Sequence, residues 1–266
     1  MAETGIERIA AAFAAARTEG RAALMPYLMG GFPDLDTSAA VIDAYADTGA
    51  DLIELGVPYS DPLADGPVIH AAATAALAAG VTFDGVLELC RRVADRVPVL
   101  PMVYANVALT LGAERFAAAL ADAGAAGAII PDLPRAEDPS VATALLERGL
   151  APIGFVSPTT APERLREIAA EAVGFTYVVS LTGVTGERDE LPAELGEMVA
   201  AVREASDAPA AVGFGIGTAE QAAAVGRIAD GVIIGTRLVR AVADAADADA
   251  AVDAVSGFMA DTRVAL

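Results

Sequence analysis

Eight apolar, β-leaning segments recur along this chain, each followed by a helical pattern. They run over Ala23–Gly31, Asp51–Val57, Val97–Ala105, Gly127–Leu133, Ala151–Ser157, Phe175–Thr182, Pro209–Ile216 and Gly231–Val239. Helical patterns cover Asp36–Asp47, Thr82–Arg96, Ala113–Asp122, Asp138–Arg148, Ala161–Ala172, Leu191–Ala205 and Thr218–Val225. Another, Ile6–Thr18, precedes the first segment, and a last one, Asp244–Arg263, closes the chain. Regular alternation with right-handed crossovers gives a parallel sheet. Eight such units in 266 residues is the size of a (β/α)8, or TIM, barrel. An open doubly wound sheet would need a nucleotide loop near the start, and the first segment leaves through Met29-Gly30-Gly31-Phe32-Pro33 instead. No linker or second composition interrupts the pattern. The expectation is one domain over 1–266, a TIM barrel with an extra N-terminal helix.

Composition removes several chemistries. The chain holds one histidine, one cysteine and no lysine, so all 17 basic residues are arginine. Without lysine there is no Schiff base to a substrate or to pyridoxal phosphate. One His and one Cys, far apart as His70 and Cys90, do not make a zinc or iron cluster, and no metal site is expected. His70 lies on an Ala-rich helical stretch and reads as a packed or surface residue; Cys90 reads as a packing residue on a helix. A lone thiol fits a reducing cytoplasm. The N-terminus lacks a basic stretch ahead of an apolar core. The most apolar run, Val97–Gly112, is broken by Pro98, Pro101 and Asn106, against a membrane span. Against the arginines stand 37 acidic residues, a net charge of −20, which repels nucleic acid and anionic membranes. A salt-rich cytoplasm accounts for such acidity; a GC-rich genome accounts for arginine in place of lysine. Both explanations stay open.

The stretch with most chemical content runs from Leu52 to Pro67. Leu52, Glu54 and Gly56 share one strand face, and Ile53, Leu55 and Val57 the other. Apart from Glu54 both faces are apolar, as in a parallel strand covered on both sides. A carboxylate there is desolvated, and its cheaper state is a carboxylic acid with a raised pKa, suited to general acid/base work. The alternative is a Glu paired with an Arg from a neighbouring strand. Asp61 and Asp65 follow on a Pro- and Gly-rich loop, where a carboxylate is ordinarily a solvated charge. In a barrel, chemistry gathers where strands end and βα loops begin, which favours a functional Glu54.

Two further regions stand out. Residues 180–192 form a polar, Gly- and Thr-rich loop after the sixth strand, a lid or an ordinary surface loop. Gly213-Phe214-Gly215-Ile216-Gly217-Thr218 and Gly235-Thr236 follow the seventh and eighth strands, where barrels often bind phosphate through backbone N–H groups. The Gly213 run is no dinucleotide fingerprint, because Thr218 stands where the third glycine belongs.

Glu54 with Leu55-Gly56-Val57-Pro58-Tyr59-Ser60-Asp61-Pro62-Leu63-Ala64-Asp65-Gly66-Pro67 resembles the signature of the tryptophan synthase α subunit family. The resemblance extends to Tyr104-Ala105-Asn106, Pro131-Asp132-Leu133-Pro134, Tyr177, Gly183-Val184-Thr185-Gly186 and Gly213-Phe214-Gly215-Ile216. It implies a TIM barrel that cleaves indole-3-glycerol phosphate to indole and glyceraldehyde 3-phosphate, late in tryptophan biosynthesis. It implies no cofactor in this chain, a β-subunit partner that carries pyridoxal phosphate, and an α2β2 heterotetramer. By the same resemblance Glu54 is the catalytic acid/base, and Asp65 the carboxylate that holds the indole N–H. Tyr177 and Thr185 position the substrate. Tyr27, Tyr104 and Phe155 line the indole pocket. Gly186, Phe214, Gly215, Gly235 and Thr236 bind phosphate, and Asp61 faces the partner. This chain has Thr236 where the family more often has Ser, Tyr27 where it more often has Phe, and Gly31 before Phe32-Pro33 where many relatives carry Asp before the proline. Competing readings are a regulatory subunit with little activity of its own, and another phosphate-binding barrel enzyme such as a sugar-phosphate isomerase.

Overall fold

A computed structural model of the protein describes residues 3–134, 138–179, 193–213 and 215–266. Helix α1 (Gly5–Thr18) comes first. Strands β1 (Ala23–Met29), β2 (Ile53–Gly56), β3 (Val99–Met102), β4 (Gly127–Ile129), β5 (Ala151–Val156), β6 (Thr176–Val179), β7 (Ala210–Gly213) and β8 (Gly231–Ile234) then follow. All pair in parallel, in sequence order, and β8 returns to β1 to close a barrel. The intervening helices are α2 (Leu35–Asp47), α3 (Pro67–Ala78), α4 (Phe83–Val93), α5 (Ala105–Leu111), α6 (Ala113–Asp122), α7 (Ser140–Glu147), α8 (Pro162–Ala170), α9 (Ala193–Ala205) and α10 (Ala219–Gly226). The last strand is followed by α11 (Thr236–Ala243) and α12 (Ala248–Ala265).

The alternation expected of the Glu54 strand divides two cores. Ile53, Leu55 and Val57 point outward, into the layer between barrel and helices. Leu52 points inward and meets Met25, Leu100, Phe175 and Ala211. Ile9, Phe13 and Ala16 of α1 join this inner cluster, so α1 packs against the N-terminal ends of the strands; the Phe13 and Phe175 rings lie 5.6 Å apart. The barrel interior is thus filled from below and opens only above the level of Glu54.

Two aspartates stiffen that lower rim in the same way. Asp51, just ahead of β2, accepts the Leu24 N–H at 2.7 Å and pairs with both Nη atoms of Arg21 at 2.6 and 2.8 Å. Asp230, just ahead of β8, accepts the Ala210 N–H at 2.9 Å and pairs with Arg203 at 3.0 Å. Each ties the first peptide of one strand to the entry of its neighbour.

Element existence follows the sequence pattern, but boundaries differ. The strands are shorter than the apolar runs. The Val97–Ala105 run ends as a strand at Met102, and Ala105 opens helix α5. The Gly231–Val239 run changes from strand to helix at Gly235–Thr236, because a short apolar run suits a buried strand and a buried helix equally. The Asp244–Arg263 helix begins only at Ala248: Asp247 is an N-cap whose carboxylate accepts the Ala250 N–H at 2.9 Å. Cys90 is fully buried in the outer core, and burial pushes its thiol up to about 12. His70 is exposed on the first turn of α3. Among the described residues no single helix is long and apolar enough to cross a membrane.

Candidate active site

One cavity at the C-terminal mouth of the barrel gathers most of the residues the sequence singles out. Glu54, Asp65, Tyr27, Phe155 and Tyr177 line it together with Gly213, Gly215, Gly235 and Thr236. Ile69, Met102, Val179, Ile216 and Ile233 supply apolar wall. Thr185, Gly186 and Phe214 lie outside the described residues, as does the whole 180–192 loop.

Glu54 sits mid-strand on β2 with its side chain inside the barrel, 2% exposed. It has no arginine partner among the described residues. Among the described residues its side chain is hydrogen-bonded by the Tyr177 hydroxyl, which donates to Oε2 over 3.3 Å. Burial pushes its pKa up to about 8; the Tyr177 hydroxyl acts against this and the Asp65 charge adds to it. At neutral pH Glu54 therefore carries a proton.

Asp65 rides on the loop between β2 and α3. Pro62 and Asp65 close a turn through an N–H to carbonyl bond of 3.2 Å. Gly66 then caps α3, with Pro67 at its first position, where a missing N–H costs nothing. Burial raises the Asp65 pKa to about 6, opposed first by the Tyr104 hydroxyl and then by His70. Asp65 is thus ionised at neutral pH, beside a protonated Glu54. Two carboxyls in one cavity with pKa values pushed to either side of neutrality is the usual mark of an acid and its electrostatic partner.

Tyr104 does not line the cavity. It is buried, and its hydroxyl accepts the Ala64 N–H at 3.0 Å, so it holds the Asp65 loop. Tyr59 of the same loop stacks on it, ring centres 5.1 Å apart. Asp132 accepts the Ala105 N–H at 2.8 Å and so fixes the start of α5 immediately after Tyr104. Residue chemistry alone singles out neither Tyr59 nor Asp132: the α5 N–H that Asp132 accepts lies 27 positions upstream, a separation that no local capping pattern shows. Asp61 is exposed on the β2–α3 loop, outside the cavity.

The two Gly turns differ. In the first, Gln221 Oε1 takes the Gly217 and Thr218 N–H groups at 2.7 and 3.2 Å, so the N-terminus of α10 is satisfied by its own chain. Helix α11 begins at Gly235 with no side-chain cap. Its first N–H groups are left as open donors among the described residues, and its dipole favours an anion there. Among the described residues no arginine lines the cavity. Among the described residues no cluster of His, Cys, Asp or Glu is placed to hold a metal ion.

This geometry can be set beside known proteins. The family described as tryptophan synthase alpha chain matches residues 13–263. The tryptophan synthase alpha chain of Gloeobacter violaceus is 47% identical over 242 residues, covering 90% of this chain and 88% of the relative. That of Geobacter sulfurreducens is 44% identical over 237 residues, covering 88% and 90%. Among solved structures, Mycobacterium tuberculosis tryptophan synthase superposes with a TM-score of 0.90 at 36% identity over 97% of each chain. The Legionella pneumophila alpha chain superposes with 0.86 at 33% identity, over 97% of this chain and 96% of that one.

Proposed function

The chain belongs to the tryptophan synthase alpha chain family, and on that premise we propose how its residues share the work. The reaction is the lyase cleavage of indole-3-glycerol phosphate to indole and glyceraldehyde 3-phosphate. The alpha chain of this family carries no cofactor; pyridoxal phosphate resides in the β subunit with which it pairs.

Carbon–carbon cleavage without lysine or metal needs a substrate that supplies its own electron sink. Protonated Glu54 gives its proton to ring carbon C3, which makes the ring nitrogen cationic. Ionised Asp65 accepts the N–H and stabilises that charge as it develops. The Glu54 carboxylate then takes the proton of the side-chain hydroxyl. The C–C bond breaks, its electrons return to the ring, and the aldehyde leaves. Tyr177 holds Glu54 in place for both transfers, and Phe155, stacked on Tyr177 at 4.7 Å, flanks the ring. The phosphate rests on the open N–H groups at the start of α11 with Gly215, Gly235 and Thr236; Gly186, Phe214 and Thr185 are assigned to the same end by family resemblance.

The observation that carries this division is the pairing of a neutral Glu54 with a charged Asp65 in one cavity. We assign exposed Asp61 to the β-subunit face, within an α2β2 assembly. Cytoplasmic location is proposed from the single buried thiol, and a salt-rich interior from the net charge. The deciding experiment is indole release from indole-3-glycerol phosphate, at high salt, with and without a tryptophan synthase β subunit. Release that rises with the partner supports the assignment; none in either condition from folded protein overturns it.

A further inference from the structure

Tyr27 carries a hydroxyl that the chemistry above does not use. It stands on β1 in register with Glu54 on β2, its side chain pointing inward and 3% exposed. Its backbone is anchored, since its carbonyl accepts the Tyr45 hydroxyl at 3.1 Å. The ring leans one pleat toward the mouth and sets its hydroxyl into the notch left by Gly56. A Cβ at position 56 would overlap that hydroxyl and stand 2.6 Å from Cζ.

The hydroxyl makes no hydrogen bond among the described residues, yet it is not sealed off: it opens on the cavity. Burial and, after it, the Asp65 carboxylate hold the phenol firmly protonated. It is a donor with no acceptor for its proton among the described residues. A buried donor pointing into a site discriminates among ligands, because the wrong ligand leaves it unpaired.

Resting on the role proposed for Asp65, the ring N–H of the substrate faces that carboxylate. From the nitrogen, C2 and C3 lead toward Glu54, where the bond breaks. The other flank of the nitrogen, C7 of the six-membered ring, remains for a donor held beside Asp65. We propose that the Tyr27 hydroxyl is a specificity-determining group that reads this ring edge and favours indoles with a hydrogen-bond acceptor at position 7, the 7-azaindole class.

The reverse condensation with glyceraldehyde 3-phosphate tests this. Ring C3 bonds to the aldehyde carbon, the C3 proton is released and the carbonyl oxygen gains one, so no co-reactant is needed. The measurement is kcat/KM for indole, 7-azaindole and 5-azaindole, with the unmodified chain and with Tyr27→Phe, each azaindole expressed relative to indole. Any general effect of the substitution then cancels. The 7-azaindole ratio is expected to fall about tenfold in Tyr27→Phe, the size of one lost hydrogen bond, while the 5-azaindole ratio stays put. An unchanged 7-azaindole ratio, or an equal fall for 5-azaindole, overturns the proposal. Failure of the unmodified chain to condense indole itself would instead count against the proposed function, so the two failures are distinct.

Discussion

The Tyr177 hydroxyl stands 3.3 Å from Oε2 of Glu54, on a strand four places away around an eight-stranded barrel. The hydrogen bond therefore crosses the interior from wall to wall. It favours the charged form of Glu54 and works against burial. Gly213 gives it room: a Cβ there would lie 2.8 Å from the Tyr177 hydroxyl.

The pH profile of kcat/KM follows from these two opposed effects and from Asp65. Cleavage needs Asp65 ionised and Glu54 protonated, so activity rises through about 6 and falls through about 8. Tyr177→Phe removes the group that lowers the Glu54 pKa, and the alkaline limb moves to higher pH. A limb that stays in place would show that the hydroxyl does not act on Glu54.

Glu54→Gln keeps the shape and removes the transferable proton. Indole release is expected to fall by about 10³-fold or more. The same change alters stability in a pH-dependent way. The Glu54 carboxyl moves from an ordinary 4.5 to about 8 on folding. Below about 4.5 it is protonated in both states; above that, folding must take up a proton, so its contribution declines until about pH 8. Thermal melts from pH 5 to 8 should therefore show Glu54→Gln gaining on the unmodified chain as pH rises.

Asp51 receives Arg21 through two bonds and also the Leu24 N–H, with both side chains of the ion pair largely buried. Asp51→Ala leaves the largely buried Arg21 with only the exposed Glu19 carboxylate at 2.8 Å, strips the Leu24 N–H of its acceptor, and should cost about 3 kcal/mol in urea unfolding, with catalysis in the remaining folded protein retained. The lower rim is far from the cavity residues, so a loss of kcat would point to an unforeseen coupling between the two ends.

Thr176, on the outward face of β6, is fully buried, and its hydroxyl lacks a partner among the described residues. Thr176→Val keeps the shape and removes the stranded polar atom, and is expected to raise stability by about 1 kcal/mol. A matched pair of denaturant titrations decides the sign.

The net charge of −20 repels itself, and added salt screens it. The melting temperature is expected to climb from low to molar salt. A flat or falling series would mean that the surface ion pairs, such as Arg96 with Asp47 at 2.8 Å, outweigh the repulsion.

Glu54 was legible in the sequence because a lone carboxylate in an apolar strand has few inexpensive explanations. The barrel was legible from its eightfold alternation. What escaped was local: α5 and α11 follow strands without a polar break, so one apolar run hides two elements. Tyr104 shows the same limit at the site. Family resemblance puts it in the pocket lining, but the pleat does not tell whether a ring at a strand exit faces substrate or braces a neighbouring loop. The hydroxyl of Tyr27 needed three dimensions as well, because its notch is made by Gly56 on another strand.

Cys90 lies on the buried face of α4 with its thiol far from ionising at neutral pH, and no lysine occurs anywhere in the 266 residues. The folded molecule thus presents no side-chain thiolate or amine to a labelling reagent. A cysteine installed at exposed Asp61 becomes the one side chain a maleimide dye will find, and fluorescence from that point would report whether a β subunit docks there.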